Sequence, residues 1–239
     1  MSKIAITQPN YLPWLGYFDL IDEVDTWVSL DNVLLSKRSF IVRNKVFLKK
    51  ERWLSLNIEK KSNNILINNS VLFLQSRFWE KHISIIKNYY FKTPYFDQYI
   101  KYIEKIITPH EKNLSKYNER IIKEISKLLG ISFHFKRASE ITSKKFENPE
   151  DRIIYICKKL DATKYYNFKN GIEVGLYHSN NFLENGITLY KQDYKHPIYN
   201  QYQNRNGFVP YMSILDLLFN EGESSLEIIR KGRNWIKQM

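Results

Sequence analysis

The chain has 239 residues, 43% hydrophobic and 26% charged, an ordinary composition for a globular protein that can bury a substantial core. Its formal net charge of +12 indicates either a Lys-rich composition bias or an acidic or phosphate-bearing partner, and because no basic tail or nucleic-acid motif is present, nucleic acid is not an expected partner. The single cysteine excludes a disulfide within the chain, and no stretch is long and apolar enough to predict a membrane span. Residues 1–8 contain no apolar leader, so we expect a cytoplasmic protein.

The first predicted element is a short buried strand over residues 3–8, which leads into a polar loop fixed by Pro9 and Pro13. An amphipathic helix is predicted over 15–24. A loop between a buried strand and a helix is where α/β proteins bind ligands, because the first helical N–H groups have no backbone partner. The opening of the chain therefore predicts a ligand-facing loop.

A second buried strand is predicted over 25–31, connected to the first by one short helix. A right-handed βαβ crossover is the expected geometry for such a connection. It would bring Gln8 and Asp31, which end the two strands, to the same edge of the sheet.

The rest of the chain predicts a hairpin, several helices and further short strands. In order they are a hairpin within 38–58, a strand at 65–67, two helices within 76–107 separated at Thr93-Pro94, a helix over 114–129, a strand over 131–135, a helix over 149–160, strands at 164–166 and 187–189, and a helix over 214–220. We expect one α/β domain over 1–239, with a Rossmann-like βαβ start, a mainly parallel sheet, a small antiparallel excursion and a mainly helical insertion at about 76–130.

Polar side chains in the opening loop are the first candidates for substrate binding. Gln8, Asn10 and Tyr11 all carry hydrogen-bonding groups and follow the first strand directly. Asp31 ends the second strand, where its carboxylate could accept a proton from an attacking amine. The alternative for Asp31 is a structural one, in which the carboxylate caps a loop by accepting backbone N–H groups.

A second group of candidates lies in the predicted hairpin. Arg43 and Lys45 would share one face of a strand, and a guanidinium suits a diphosphate or a carboxylate. Asn44 offers a second polar contact, so Arg43 and Asn44 are candidates for binding an anionic part of the substrate. A solvated strand face is the alternative for these residues.

The third group lies near the end of the chain. A neutral imidazole at His196 is suited to deprotonate an ammonium nucleophile near pH 7, with Tyr199 and Gln203 as supporting donors. The alternative for His196 is that it orders a loop. Residues 167–171 follow a candidate strand and form either a second ligand-facing loop or a plain turn.

Other chemistry is not expected from the sequence. Cys157 lies in an apolar helical stretch and is expected to be buried in the core. The histidines lack metal-ligand spacing, and no P-loop or GxSxG sequence is present and no GxGxxG follows a strand. We therefore expect no metal site and no tightly bound cofactor.

Several segments resemble the WbqC-like family of bacterial surface-polysaccharide gene clusters. They are Gln8-Pro-Asn-Tyr-Leu-Pro-Trp-Leu-Gly-Tyr-Phe18, Asp31-Asn-Val33, Lys37-Arg-Ser39, Arg43-Asn-Lys45, His196-Pro-Ile-Tyr199 with Gln201 or Gln203, Phe208-Val-Pro210, and Ser213-Ile-Leu-Asp216. The opening segment is also similar to that of nucleotide-binding Rossmann-like enzymes with a HIGH motif, but the two histidines of that motif are absent from 11–17.

The resemblance implies modification of a nucleotide-linked amino sugar in O-antigen, lipopolysaccharide or capsule biosynthesis, and most directly N-acyl or aminoacyl transfer to the sugar amine. The resemblance names no donor. We expect an acyl thioester on coenzyme A or on a carrier protein, and the basic charge of the chain would suit an acidic acyl carrier protein. Two alternatives stay open. One is a non-catalytic accessory protein that binds a nucleotide-sugar or a glycan, and the other is a nucleotidyl-transfer enzyme.

Overall fold

A computed structural model describes residues 2–36, 38–48, 50–59, 64–202 and 207–238. Its strands and helices follow one another in the order β1 Ser2–Thr7, α1 Leu15–Glu23, β2 Thr26–Ser29, β3 Arg43–Leu48, β4 Lys50–Ser55, α2 Phe78–Tyr90, α3 Phe96–Ile107, α4 Leu114–Leu128, β5 His134–Arg137, α5 Ala138–Ile141, α6 Pro149–Lys159, β6 Ala162–Phe168, α7 Lys169–Glu173, α8 Ser179–Glu184, β7 Thr188–Gln192, α9 Ile214–Glu221, α10 Ser225–Lys231 and β8 Trp235–Lys237.

Within the described residues, six strands form one mainly parallel sheet in the order β5-β2-β1-β6-β7-β8, and only β8 is antiparallel to its neighbour. Numbered along the sheet strands alone, this order is 3-2-1-4-5-6, the arrangement of doubly wound nucleotide-binding folds. The order reverses between β1 and β6. The expected α/β fold with a mainly parallel sheet and an antiparallel hairpin is confirmed.

Helices cover both faces of the sheet, which explains why three consecutive residues of the central strand β1, Ile4, Ala5 and Ile6, are all apolar and buried. Ile4 and Ile6 pack on one face with α6 and α8, whereas Ala5 faces the other side with α1, the hairpin and α2–α4. Cys157 of α6 is fully buried against the first face, as expected. Helices α2, α3 and α4 occupy the predicted insertion, and the organisation as one domain stays a prediction.

Most long elements agree with the sequence prediction, but two short strands do not. The predicted strand at 65–67 is wrong, because Leu66 makes a single bridge to Leu34 and a 3₁₀ turn follows at Ile67–Asn69. The strand predicted over 131–135 begins later, at His134, where parallel pairing with β2 starts. The edge strand β8 was not predicted, since three residues are too few to show a period.

Candidate functional site

A crevice of about 620 Å³ lies at the carboxyl ends of β1, β6 and β7, where the strand order reverses. Open α/β sheets bind their ligands at this position. The volume is in the range of pockets that hold small organic ligands. Its walls consist of Ile6, Thr7, Gln8, Asn10, Trp14, Leu30, Phe40, Asn167, Phe168, Lys169, Asn170, Gly171, Tyr177, Gln192, Tyr194 and Tyr211.

Buried amide side chains fix the opening loop that forms one wall. Asn44 Nδ2 donates to the carbonyls of Tyr11 and Leu12 at 3.2 and 2.7 Å, and Asn118 Nδ2 donates to that of Pro9 at 2.9 Å. Leu12 has a φ of +44°, an unusual value that persists only where the surroundings determine it. These contacts leave Gln8 exposed and Asn10 half-buried at the crevice, and neither side chain bonds another described residue.

Trp14 forms the rim next to this loop. A Cβ on Gly16 would overlap the Trp14 indole, so only glycine at position 16 allows the ring to lie over the start of α1. The indole contacts the rings of Tyr194 and Tyr211, with centroids 5.4 Å apart in both pairs. Trp14 therefore connects the opening loop to the segment that follows β7.

The opposite wall comes from the end of β6 and the start of α7, within the predicted ligand-facing segment 167–171. Asn167 Oδ1 accepts the Phe168 N–H at 2.8 Å, which turns the chain into the helix. A Cβ on Gly171 would lie 3.0 Å from both Asn167 Nδ2 and the Tyr177 ring, so glycine lets these side chains approach each other. The crevice is thus bounded by two strand-terminal segments that the sequence had singled out.

Most side chains of the crevice walls carry an amide, a hydroxyl or an aromatic ring. Thr7, Gln8, Asn10, Asn167, Asn170 and Gln192 are the polar members, and Trp14, Phe40, Phe168, Tyr177, Tyr194 and Tyr211 carry rings. Lys169 is the single charged residue among the described wall residues, and the carboxylates of Glu173 and Asp193 raise its pKa. No Asp, Glu, His or Cys side chain lines these described walls, and none of the residues outside the described ranges is of those types.

His196 lies directly behind this aromatic rim. Its Nδ1 lies 2.9 Å from the Pro197 carbonyl, and its Nε2 accepts the Tyr211 N–H at 3.2 Å. Its ring stacks on Trp14 at 6.2 Å and 18°. Burial lowers the pKa of the imidazole below its ordinary value, so His196 is neutral near pH 7. In this conformation the histidine orders a loop, and its acceptor nitrogen is occupied.

Asp31 is buried beyond the end of β2. Its Oδ1 accepts the Ser139 N–H at 2.9 Å, and its Oδ2 accepts the Ser139 hydroxyl at 2.6 Å. These bonds fix the start of α5 against the sheet edge. The contacts match the capping alternative for Asp31, whose neighbour Leu30 lines the crevice.

Three of the predicted substrate-binding residues are buried among protein partners. Tyr11 is fully buried with its hydroxyl 2.9 Å from His82 Nδ1, and Asn44 holds the opening loop from behind. Tyr199 donates to Asp216 Oδ2 at 2.6 Å. None of the three lines the crevice. Gln203 lies outside the described residues.

Arg43 lies near the rim, on the hairpin. Its guanidinium carbon is 4.3 Å from the centroid of the Trp53 ring, which in turn is 6.2 Å from the ring of Phe40 on the crevice wall. Arg43 Nε is buried and has no hydrogen-bond partner among the described residues. No carboxylate in the described ranges pairs with Arg43, and a guanidinium without such a pair is suited to bind an anion from a ligand that extends out of the crevice.

Sequence reasoning did not single out Gln192, Phe40 or Tyr211 as wall residues. Gln192 ends β7, so the rule that ligands bind at the carboxyl ends of parallel strands would have found it. Phe40 and Tyr211 come from irregular segments with no such signal. They meet at the crevice because the hairpin carbonyl of Lys45 accepts the Ser213 N–H at 2.8 Å.

Two other kinds of feature are absent from the described residues. No group of three or more His, Cys, Asp or Glu side chains there lies close enough to hold a metal ion. None of the helices in the described ranges has the length and hydrophobicity needed to cross a bilayer.

Comparison with known proteins assigns the chain to a family. It is 29% identical over 234 residues to the uncharacterized protein Rv1507c of Mycobacterium tuberculosis, an alignment that covers 96% of this chain and 98% of the other. No solved structure matches it significantly. The model of the WbqC-like protein family matches residues 8–228. The chain therefore belongs to the WbqC-like protein family.

Proposed function

We propose that this protein transfers an acyl or aminoacyl group from a thioester donor to the amine of a nucleotide-linked amino sugar, in the cytoplasmic synthesis of an O-antigen, lipopolysaccharide or capsule. The crevice at the switch point of the sheet is the observation that carries the proposal, together with membership of the WbqC-like family. Its amide-rich walls suit the hydroxyls of a sugar, and its rings suit the apolar faces of a sugar or a base.

The substrate would lie between the two strand-terminal walls. Gln8 and Asn10 project from the opening loop without other described partners, so their amides are available to sugar hydroxyls. Arg43 would bind the phosphates of the nucleotide, since no carboxylate among the described residues pairs with its guanidinium. Apart from Lys169, the described walls are uncharged and suit the sugar better than the diphosphate.

The reaction forms a C–N bond and breaks a C–S bond. The amine nitrogen attacks the thioester carbonyl, the negative charge develops on the carbonyl oxygen, and the thiolate leaves and takes up the proton that the amine loses. The uncommitted amide N–H groups of Gln8 and Asn10 could donate to the developing oxyanion. The bonds, the charge and the proton of this step are all accounted for without a metal ion.

His196 is a better candidate base than Asp31. Its Nε2 accepts one hydrogen bond, of 3.2 Å, from the N–H of Tyr211, a half-exposed residue with a φ of +62°. Backbone in this region is strained for residues other than glycine, so a change at Tyr211 would free Nε2 at low cost. The imidazolium formed could still donate from Nδ1 to the Pro197 carbonyl. Both Asp31 oxygens, by contrast, fix α5.

A binding function without turnover is the second candidate. It is favoured by the absence of Asp, Glu, His and Cys from the described crevice walls. In that case the protein would present a nucleotide-sugar to another enzyme, and His196 would only order the rim.

Incubation of the pure protein with nucleotide-linked amino sugars and acyl thioesters separates the two candidates. A mass gain on one sugar that requires both substrates is the expected result, and it identifies the donor and the acceptor together. If no pair gives a product although a nucleotide-sugar raises the melting temperature, the proposed transfer is wrong and the binding function replaces it.

A further inference from the structure

The side chain of Gln192, at the end of β7, is held from behind by helix α1. Its Nε2 donates to the Gly16 carbonyl at 2.9 Å and to Asp19 Oδ2 at 2.8 Å, so both amide hydrogens are in use. Gln192 is 3% exposed and lines the crevice, whereas Asp19 is fully buried and is not one of the described wall residues. The nitrogen of this wall amide is therefore fully committed to α1.

The partners of Nε2 also determine which end of the Gln192 amide faces α1. A backbone carbonyl only accepts hydrogen bonds. Arg233 Nε donates to Asp19 Oδ1 at 2.7 Å, and the guanidinium stabilises the ionised form of this carboxylate, which likewise only accepts. An amide turned the other way would place its oxygen against two acceptors and lose both hydrogen bonds. The partners of Gln192 thus allow one orientation of its amide.

The oxygen of the same amide is left for a ligand. No described residue donates to Gln192 Oε1, and the atom is still in contact with solvent, so it opens to the crevice that Gln192 lines. A ligand that displaces water from this oxygen without donating to it leaves a buried acceptor unpaired, which is costly. The crevice therefore requires a hydrogen-bond donor from the ligand at this position.

Asn167, at the end of β6, supplies the opposite polarity. Its Oδ1 accepts the Phe168 N–H at 2.8 Å, and no described residue accepts from its Nδ2, so the crevice has a donor here. Phe168 and Gln192 are partners in the parallel ladder, so the two amides end neighbouring strands. One fixed donor and one fixed acceptor suit hydroxyls, which both donate and accept. They suit an ionised phosphate, which only accepts, or an ammonium, which only donates, less well.

We propose that Gln192 determines specificity in the crevice by accepting a hydrogen bond from one hydroxyl of the substrate's sugar, and that Asp19 is a positioning residue that fixes the Gln192 amide for this contact. The inference rests on the proposed function and adds the chemical feature by which the sugar is selected. A sugar with fluorine in place of this hydroxyl has a group of similar size that cannot donate, so it binds more weakly.

The test is a calorimetric titration with two probes, UDP-glucosamine and UDP-galactosamine, and with analogues in which fluorine replaces one sugar hydroxyl at a time. For one hydroxyl, the wild type is expected to bind the fluorinated analogue about tenfold more weakly than the parent probe. In Gln192→Met, which has no amide oxygen, the two affinities should agree within about twofold. A general loss of structure cancels in this ratio, because both ligands are compared on the same variant.

Asp19→Asn tests the positioning role from outside the crevice. Asparagine donates as well as accepts, so the Gln192 amide is no longer held in one orientation, and the ratio should fall to about threefold or less. Asp22→Asn is the matched control. It makes the same change on the same helix, at a carboxylate that pairs with Arg230 and Arg233 and not with Gln192, and it should keep the wild-type ratio.

Three results would overturn the specificity proposal. They are equal wild-type affinities for each probe and all its analogues, a ratio that persists in Gln192→Met, and equal falls in the ratio for Asp19→Asn and Asp22→Asn. No binding of either probe would overturn it together with the proposed function. The two proposals otherwise fail separately. Selective binding without any acyl product would refute only the function, and acyl transfer to a probe and all its analogues at equal kcat/KM would refute only the role of Gln192.

Discussion

The two segments that flank the crevice are held in different ways. Neutral amides fix the opening loop, since Asn44 and Asn118 donate to its carbonyls from buried positions. The second segment, described over 196–202 and 207–211, depends on a buried carboxylate. Asp216 accepts from the hydroxyls of Tyr90 and Tyr199 and from the amide of Gln201. Burial lowers the pKa of His82, which contacts the Tyr11 hydroxyl, to about 4, so the first segment should be insensitive to pH above that value, whereas the second should respond to pH.

The strained residues of the two segments differ as well. Leu12 has a φ of +44° and is completely buried, whereas Tyr211 has a φ of +62° and is 54% exposed. Strain in a packed position is maintained by its surroundings, but strain at the surface can be released by a small movement. The comparison indicates a rigid wall at the opening loop and an adjustable rim at Tyr211.

Asn118→Leu tests the rigid wall and should have the largest effect. Asn118 Nδ2 donates to the carbonyls of both Pro9 and Ile41, at 2.9 and 2.8 Å. Leucine has no donor, so the substitution leaves both buried acceptors unsatisfied. We expect the free energy of unfolding to fall by about 3 kcal/mol in urea denaturation. Asn88→Leu at an exposed helical position is the control and should change it by less than about 0.5 kcal/mol. Equal effects of the two substitutions would contradict the account of the loop.

His196→Ala tests whether the histidine behind the adjustable rim acts as the base in the reaction. If His196 is the base, the variant should lose about a hundredfold or more in kcat/KM. In the wild type, kcat/KM should rise with pH and level off below the ordinary histidine pKa, because burial lowers the pKa of this imidazole. The variant should lack this rise, and His110→Ala, at an exposed site, should retain it. An unchanged pH profile in His196→Ala would remove the histidine from the mechanism.

Gly16→Ala tests the position of Trp14 between the two segments. Alanine favours a helix by about 1 kcal/mol over glycine, but its Cβ would overlap the indole. We expect a net loss of about 2 kcal/mol in unfolding free energy. The double variant Trp14→Leu/Gly16→Ala removes the overlap, so alanine should be neutral or stabilising in that background. A loss of the same size in both backgrounds would show that the ring is not the cause.

The pH-dependent part of the Asp216→Asn effect is the smallest of these changes and tests the difference in pH response. Burial raises the pKa of Asp216 in the folded protein, so its ionisation disfavours folding. The unfolding free energy of the wild type should fall relative to that of the variant as pH rises from about 4, the pKa of an unfolded aspartate, and the difference should become constant above the folded pKa. A difference that does not vary with pH would contradict the account of this segment.

The elements predicted correctly from the sequence have apolar residues that repeat at helical spacing over many positions, or a residue that ends the element. Helix α4 has both, because its apolar residues lie on one face and the chain leaves the helix at Gly130, which has a φ of +75°. The strand predicted at 65–67 fails because a short apolar run does not distinguish a single bridge from a strand. At the site, Gln8, Asn10 and the 167–171 segment were accessible to prediction because ligands bind where parallel strands end.

The partners of the predicted site residues could not be read from the sequence. Asp31 was placed correctly at the end of β2, but its partner Ser139 lies 108 residues further along the chain. In the same way, Tyr11 follows the first strand and yet turns into the core towards His82. Such roles depend on tertiary packing, for which one sequence provides no signal.

A crystal structure of the protein with a nucleotide-linked amino sugar tests the central claim most directly. The account predicts the sugar between Gln8 and Asn170, an unchanged opening loop, and any movement confined to the segment around Tyr211. A ligand bound elsewhere, such as in the groove between α2 and α3 beside Phe91, would contradict it.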